Sequence, residues 1–262
     1  MDRGIIFQNV SKVFKGKDSY VVALNDVSFT VEDGAFVSVV GPSGCGKSTL
    51  LRIAAGLIKP TSGRVFLNGK EVNHPQTNIG IVFQFPTLLP WRTTIGNILF
   101  QVEMRGLNKN GYIDRCRKLI KMVGLEGFEN KYPSQLSGGM QMRVALCRAL
   151  IHDPPILLMD EPFRGLDAIT QDALDYELMR LWEITRKTVL FITHNLMEAV
   201  FLSDKVVVLS PRPGKVVSIV NIEIERPRKP SIKQNSDFVS YVVTLRDMIE
   251  EGIGYGAKQE YD

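Results

Sequence analysis

Residues 41–48 of the sequence read Gly41-Pro42-Ser43-Gly44-Cys45-Gly46-Lys47-Ser48. This stretch follows an apolar run, Ala35–Val40, and precedes a helical run, Lys47–Leu57, which is the strand–loop–helix context of a phosphate-binding loop. Glycines free backbone N–H groups to wrap a phosphate, and the helix dipole adds to the attraction. Lys47 brings a positive charge to the terminal phosphates, and the Ser48 hydroxyl is suited to ligate Mg²⁺. The stretch therefore predicts an α/β fold that binds a nucleoside triphosphate.

Short apolar runs on both sides of this loop predict the strands of a sheet. Strands that are covered on both faces, as in a parallel sheet flanked by helices, are apolar throughout rather than alternating. Such runs are Ala35–Val40, Ile79–Phe83, Ile156–Met159, Val189–Thr193 and Val206–Leu209. Asn68-Gly69 is a strong two-residue hairpin signal and predicts a small antiparallel element beside the parallel core.

The character of the sequence changes at about Pro86. Apolar residues now recur at helical spacing with basic residues between them, which predicts a helical subdomain inserted at about residues 86–137. We predict one ATPase-type domain over residues 5–235 and a short helical tail over residues 236–262. Within that tail, the segment Phe238–Ile249 is predicted to be an amphipathic helix.

A second glycine-rich segment, Leu136–Gln141, begins a helical run from Met142 to Ile151 but has no phosphate loop of its own. Free N–H groups at a helix start favour an anion, and Gly138 and Gly139 let the backbone approach it closely. One phosphate loop and a second helix start of this kind suggest two copies of the chain that share each nucleotide. The alternative interpretation is a glycine turn before an ordinary helix.

Polar residues directly follow three of the predicted strands. Asp160 and Glu161 end the apolar run Ile156–Met159, at the position where strands of such a sheet present groups to a ligand. Asp160 is the candidate for the Mg²⁺ shell, and Glu161 is the candidate general base that polarises the attacking water. Gln84 and His194 also follow strands, but a lone glutamine or histidine carries little information by itself.

Taken together, these motifs resemble the ATP-binding subunit of ABC transporters over about residues 5–225. The resemblance implies a P-loop NTPase fold with a RecA-like parallel sheet core, a small antiparallel β subdomain and an inserted helical subdomain. It also implies ATP and Mg²⁺ as cofactors and a homodimer as the working form. The residues it assigns to ATP are Phe14, Gly41, Pro42, Ser43, Gly44, Cys45, Gly46, Lys47, Ser48 and Thr49. Those that close over the ATP of the partner are Ser137, Gly138, Gly139 and Gln141.

The same resemblance gives roles to the remaining polar residues. Gln84 senses Mg²⁺ and the attacking water, and His194 is the switch histidine that touches the γ-phosphate. Asp167 belongs to the loop that joins the two active sites. The implied Mg²⁺ ligands are Ser48, Gln84 and Asp160. The aromatic platform for adenine is Phe14, with Tyr20 as the alternative because residues 15–19 lengthen this segment.

Three further stretches look like the nitrate/sulfonate/taurine importer ATPases. They are Leu88-Leu89-Pro90-Trp91, Glu161-Pro162-Phe163 with Leu166-Asp167-Ala168, and Ser210-Pro211-Arg212-Pro213-Gly214. This similarity implies integral-membrane permease subunits as partners and, indirectly, a periplasmic or lipid-anchored solute-binding protein. The chain departs from that group in one place, since Arg164-Gly165 stands where Gly-Ala is usual.

Two other functions are compatible with such a cassette. A non-transport ABC ATPase would interrupt the cassette with a coiled coil or carry two cassettes, whereas here each motif occurs once and no heptad run separates them. The second alternative, an ATPase that serves an exporter, stays open, although the segments at Trp91 and Ser210–Gly214 favour an importer.

Composition and charge exclude several classes of partner and of site. Lys and Arg number 32 against 28 Asp and Glu, a net charge of +4 that argues against a dedicated nucleic-acid binder. No apolar run approaches the roughly 18 residues that span a bilayer, and the first residues lack the apolar stretch of a signal peptide. The three cysteines show neither disulfide nor zinc spacing. Together with the resemblance to ABC transporter subunits, these features imply a peripheral protein at the cytoplasmic face of the cell membrane.

Overall fold

The structure is a computed structural model, which describes residues 3–16 and 19–253, and the chain divides into two compact units. The first unit is built from residues 1–77 and 186–262, and the second from residues 78–185. The predicted limits of the ATPase domain and of its helical insertion stay predictions. Residues 254–262 of the predicted tail lie outside the described part. No helix in the described ranges combines the length and the apolar character that crossing a membrane requires.

The first part of the first unit contains the phosphate loop and an antiparallel sheet. Its elements are β1 (Gly4–Lys15), β2 (Tyr20–Glu32), β3 (Phe36–Val40), α1 (Lys47–Ala54), β4 (Ser62–Leu67) and β5 (Lys70–Glu71). Strands β2, β1, β4 and β5 form the antiparallel sheet in that order. Asn68 and Gly69 join β4 to β5 with positive φ angles of 48° and 76°, so the predicted hairpin is confirmed.

The second unit combines a parallel strand pair with helices. Its elements are β6 (Ile79–Val82), α2 (Thr94–Met104), α3 (Ile113–Met122), α4 (Gly138–Leu150), β7 (Ile156–Asp160) and α5 (Ala168–Thr185). Strands β6 and β7 pair in parallel, and helices α2, α3 and α4 pack on one another. Helix α4 begins four residues before the predicted Met142, because the Ser137 side chain accepts a hydrogen bond from Met140 N–H and caps it.

The remaining elements complete the first unit. They are β8 (Thr188–Ile192), α6 (Leu196–Leu202), β9 (Lys205–Leu209), β10 (Val216–Asn221) and α7 (Ser236–Ile253). Strand β3 pairs in parallel with β8 and β9, and β10 adds an antiparallel edge strand. All residues of β3 and β8 are buried, which confirms the prediction that continuously apolar runs form parallel strands.

Arg228 fixes the connection between β10 and α7. Its side chain is buried, and its guanidinium donates to the carbonyl oxygens of Val200, Phe201 and Ser203 at 2.7–3.0 Å, where α6 ends. A cation is favourable beside the carbonyls at a helix C-terminus. Helix α7, which follows this connection, packs on α6, β9 and β10.

Candidate functional site

The phosphate loop is enclosed by backbone of its own unit. Gly46 precedes α1 with a φ of 106°, and a Cβ atom there would lie 2.8 Å from the Ala23 carbonyl oxygen. A Cβ atom on Gly41 would lie 2.7 Å from the carbonyl oxygen of Leu209. The glycines are therefore required by the close approach of neighbouring strands as well as by the turn itself.

Lys47 lies inside the loop. Its Nζ donates to the carbonyl oxygens of Gly41 at 2.7 Å and Pro42 at 3.0 Å, and the residue is 6% exposed. An ammonium in this position is suited to exchange a carbonyl for a phosphate oxygen, a stronger acceptor because it is charged. Ser48 and Thr49 follow on the first turn of α1 and are half-buried.

Cys45, which lies two residues before α1 begins, is a packing residue of the loop. Its side chain is buried, and its Sγ lies 3.8 Å from Lys47 Nζ. Burial raises the pKa of the Cys45 thiol, and the nearby Lys47 opposes this only in part. The thiol is therefore protonated at neutral pH and poorly nucleophilic.

A cavity of about 790 Å³ opens beside the loop. Gly41, Pro42, Ser43 and His194 line it together with residues of α7, among them Arg246 and Glu250. His194 is exposed and follows β8, and the next residue, Asn195, caps α6 with its side chain. The position of α7 beside the loop is not visible in the sequence, because no local pattern signals a contact with a segment some 200 residues away.

The predicted adenine platform lies at the ends of β1 and β2. Phe14 stands opposite Val21, and Lys15 stands opposite Tyr20. Since directly opposed residues share a face and successive ones alternate, Phe14 and Tyr20 lie on opposite faces of this strand pair. Only one of them can therefore stack on a given adenine, and both carry a nearby lysine, with Lys12 Nζ 5.1 Å from the Phe14 ring.

In the second unit, the polar residues after β6 and β7 share one sheet edge. Val82 pairs with Met159, so Gln84 and the carboxylates of Asp160 and Glu161 follow the same end of two parallel strands. Asp160 is 7% exposed. This edge therefore gathers one amide and two carboxylates.

Glu161 has two unusual features. Its φ of 43° lies in the left-handed region, which is uncommon for a residue with a side chain and often marks a functional turn. Its Oε2 accepts a hydrogen bond from Arg164 Nη1 at 3.0 Å, and the Arg164 side chain is itself exposed. The residue that departs from the usual pattern thus contacts the candidate general base.

The start of α4 is open on its outer side. Ser137 and Gly138 are exposed, and the Gln141 side chain donates to the carbonyl oxygens of Pro133 and Leu136 at 3.0 and 3.2 Å. Gly139 is buried, and a Cβ atom there would lie 2.8 Å from Thr170 Cγ2. Gly139 thus serves packing within the unit, whereas Ser137 and Gly138 present their backbone outward.

Asp167 caps helix α5. Its Oδ1 accepts a hydrogen bond from Thr170 N–H at 3.0 Å, and hydrogen bonds from Thr170 hold the pKa of this carboxyl below its usual range. The residue is exposed. The cap fixes the loop geometry and leaves the carboxylate at the surface.

The segment after Gln84 is held by two residues that the sequence analysis missed. Arg148 donates to the carbonyl oxygens of Pro86 and Thr87 at 2.7 and 2.9 Å. The buried Asn97 side chain exchanges hydrogen bonds with both backbone groups of Leu89. Trp91, at the end of the segment, is 70% exposed. These hydrogen bonds hold the backbone of the segment in place, while the Trp91 side chain at its end is exposed.

Comparison with known proteins places these motifs in a family context. A family model described as ABC transporter matches residues 24–164. An ABC transporter ATP-binding protein of Methanocaldococcus jannaschii is 49% identical over 94% of this chain and 91% of its own. The aliphatic sulfonates import ATP-binding protein SsuB of Bacillus cereus is 40% identical over 86% of this chain and 88% of its own. The taurine import ATP-binding protein TauB of Pelagibacter ubique is 43% identical over 83% of each.

Solved structures agree with the sequence relatives. The dimeric structure of MJ0796, a bacterial ABC transporter cassette, matches with a TM-score of 0.75 and 34% identity, over 84% of this chain and 100% of that one. A dimeric post-hydrolysis state of the same cassette, bound to ADP and Pi, matches with a TM-score of 0.74. These likenesses confirm the predicted P-loop α/β fold.

Proposed function

Because this chain belongs to the ABC transporter family as an ATP-hydrolysing, ATP-binding subunit, we propose that two copies enclose two ATP molecules and power a membrane importer. The observation that carries this proposal is the contrast between two glycine-rich helix starts. The loop at residues 41–48 is enclosed by its own unit, whereas the α4 start exposes Ser137 and Gly138. An exposed helix start of this kind is suited to a phosphate held by another subunit.

In the proposed site, residues 41–49 wrap the phosphates, with Lys47 as the cation, and Phe14 or Tyr20 stacks on adenine. Glu161 polarises the attacking water, and Gln84 and His194 contact the reacting end of the nucleotide. Asp167 joins the two active sites, and Ser137, Gly138, Gly139 and Gln141 close over the partner's ATP. Arg164 holds the Glu161 carboxylate through their ion pair.

Mg²⁺ fits the oxygen donors present. Ser48 offers a hydroxyl, Gln84 an amide oxygen and Asp160 a buried carboxylate at a strand end, and Mg²⁺ prefers such hard ligands. The ion would neutralise phosphate charge. Ser48, Gln84 and Asp160 would hold the ion, while the Lys47 ammonium would bind the same phosphates from the loop.

Permease subunits are the proposed membrane partner, at the cytoplasmic face of the membrane. The segment from Gln84 to Trp91 connects the nucleotide end of β6 to the exposed Trp91, and Arg148 and Asn97 stiffen it. An exposed aromatic on a rigid support is suited to anchor a partner helix. A periplasmic or lipid-anchored solute-binding protein would act indirectly, by delivering solute to the permease.

Organic sulfonates, including taurine, are the proposed class of solute. The support is the similarity to relatives named as aliphatic sulfonate and taurine import proteins. The subunit itself does not contact the solute, so the permease decides the selection.

Two experiments test the proposal. Glu161→Gln should still bind ATP but not hydrolyse it, and size-exclusion chromatography with ATP should show an accumulated dimer. Proteoliposomes that contain the wild-type chain, its permease and the solute-binding protein should take up labelled taurine or an alkanesulfonate when ATP is supplied on the subunit's side. A monomeric variant would contradict the shared site, and an absence of ATP-dependent uptake would contradict the importer.

A further inference from the structure

The turn between β9 and β10, residues 210–215, is built against the phosphate loop. Ser210 closes the turn, since its N–H donates to the Lys215 carbonyl and its Oγ accepts from Lys215 N–H at 3.0 Å. Gly214 then pairs with β2, because its N–H donates to the Ala23 carbonyl and its carbonyl accepts from Asn25 N–H. A Cβ atom on Gly214 would lie 2.1 Å from the Cys45 carbonyl oxygen, so this turn and the loop are in direct contact.

Arg212 reaches from this turn to the loop. Its Nε donates to the Gly44 carbonyl oxygen at 3.1 Å. Gly44 has a φ of 76°, and a Cβ atom there would lie 3.0 Å from Arg212 Nη2. The guanidinium therefore lies against Gly44, a loop residue with a left-handed backbone.

We propose that Arg212 is a positioning residue of the phosphate loop. A trans peptide is planar, so its carbonyl and the following N–H point in opposite directions. By holding the Gly44 carbonyl outward, Arg212 holds the N–H of Cys45 on the inner side of the loop, where it donates to the Pro42 carbonyl at 3.3 Å. A backbone fixed before the phosphates bind loses less conformational entropy when they do.

The charge of Arg212 acts in the same direction. The guanidinium is a second cation beside the loop, in addition to Lys47. Its attraction to the negative charges of a polyphosphate stabilises the bound state. Because Arg212 is exposed, solvent weakens this effect, and we expect the hydrogen bond to the Gly44 carbonyl to dominate. This inference rests on the proposed role of residues 41–48 in binding ATP.

The test compares Arg212→Ala, Arg212→Gln and Arg212→Lys in the full chain, with Lys215→Ala as the control for an exposed cation of the same turn. Arg212→Ala should raise the Kd of a fluorescent ATP analogue and the KM for ATP about fivefold, the loss expected from one partly exposed hydrogen bond. The kcat should stay within about twofold, because the reacting groups are unchanged. Arg212→Lys should recover part of the affinity, and Lys215→Ala should bind like the wild type.

Each outcome separates this inference from the proposed function. A wild-type KM in both Arg212→Ala and Arg212→Gln would overturn the positioning role, as would an equal loss in Lys215→Ala. A fall in kcat and melting temperature without a change in KM would show that Arg212 supports the fold alone. Lys47→Ala tests the loop itself: if it retains ATP binding, the proposed site is wrong whatever Arg212 does. If Arg212→Ala does not fold, the Gln variant, which keeps a long polar side chain, decides.

Discussion

The chain contains two glycine-rich helix starts that differ in how they are supported. The phosphate loop before α1 is in contact with Ala23, Leu209 and the turn at residues 210–215, and Lys47 lies inside it. The start of α4 is capped by Ser137 and held by the Gln141 side chain, and Gly139 packs against Thr170, but Ser137 and Gly138 are exposed. This difference fits the proposed roles, in which the phosphate loop binds phosphate within its own unit and the α4 start completes a site in another subunit.

The largest expected effect comes from removing the cation of the enclosed loop. Lys47→Ala should lower kcat at least about a hundredfold, the usual cost of losing a charge that faces a developing negative charge. ATP binding should weaken as well, because the same ammonium faces the bound phosphates. A phosphate-release assay and a fluorescent nucleotide measure both, with Lys70→Ala on the exposed strand β5 as control. Normal turnover in Lys47→Ala would remove the loop from the site.

The open helix start should separate binding from activity. Ser137→Arg places a large cation at the exposed start of α4, so it should abolish ATPase activity while a single chain still binds ATP as before. Ser134→Arg, at an exposed serine three residues earlier, is the matched control. An equal loss of nucleotide binding in Ser137→Arg and Lys47→Ala would contradict the assignment of the two helix starts to different subunits.

Alanine substitutions should distinguish the two starts by stability. Gly44 has left-handed backbone, so Gly44→Ala should lower the free energy of unfolding by about 1–2 kcal/mol. Gly138 has no such φ, and a Cβ atom there would make an ordinary contact of 3.6 Å with Leu166. Gly138→Ala should therefore change the free energy of unfolding by less than about 0.5 kcal/mol. Urea unfolding measures both. A large loss in Gly138→Ala would show that the α4 start is as tightly constrained as the phosphate loop.

The smallest effect is expected at the ion pair of Arg164 and Glu161. Arg164→Gly introduces the residue usual in the similar importer ATPases and should change kcat less than about fivefold, since an ion pair whose arginine is exposed is weak. Arg164→Lys keeps the charge and should lie closer to the wild type in the same steady-state assay. A hundredfold loss in Arg164→Gly would instead mean that Glu161 depends on Arg164 for its position.

Much of the fold followed from local sequence. The runs that form β3, β6, β7, β8 and β9 are continuously apolar, and Asn68-Gly69 specifies its own turn. The predicted ends differ by one to a few residues where caps decide them, as at Ser137 before α4. The helix predicted at Lys47–Leu57 ends at Ala54, because Gly56 then takes a left-handed φ of 72°.

The sequence by itself determined the candidate residues for the chemistry of ATP, because the phosphate loop, the α4 start and the strand ends are contiguous motifs whose residue types and order can be recognised. Tertiary structure alone decided what supports them. Arg212 lies 168 residues from Gly44, and α7 lines the cavity beside Gly41 and His194. Such contacts form where elements distant in sequence pack together. The sequence does not show which arginine or which helix face will make such a contact, because that depends on the packing.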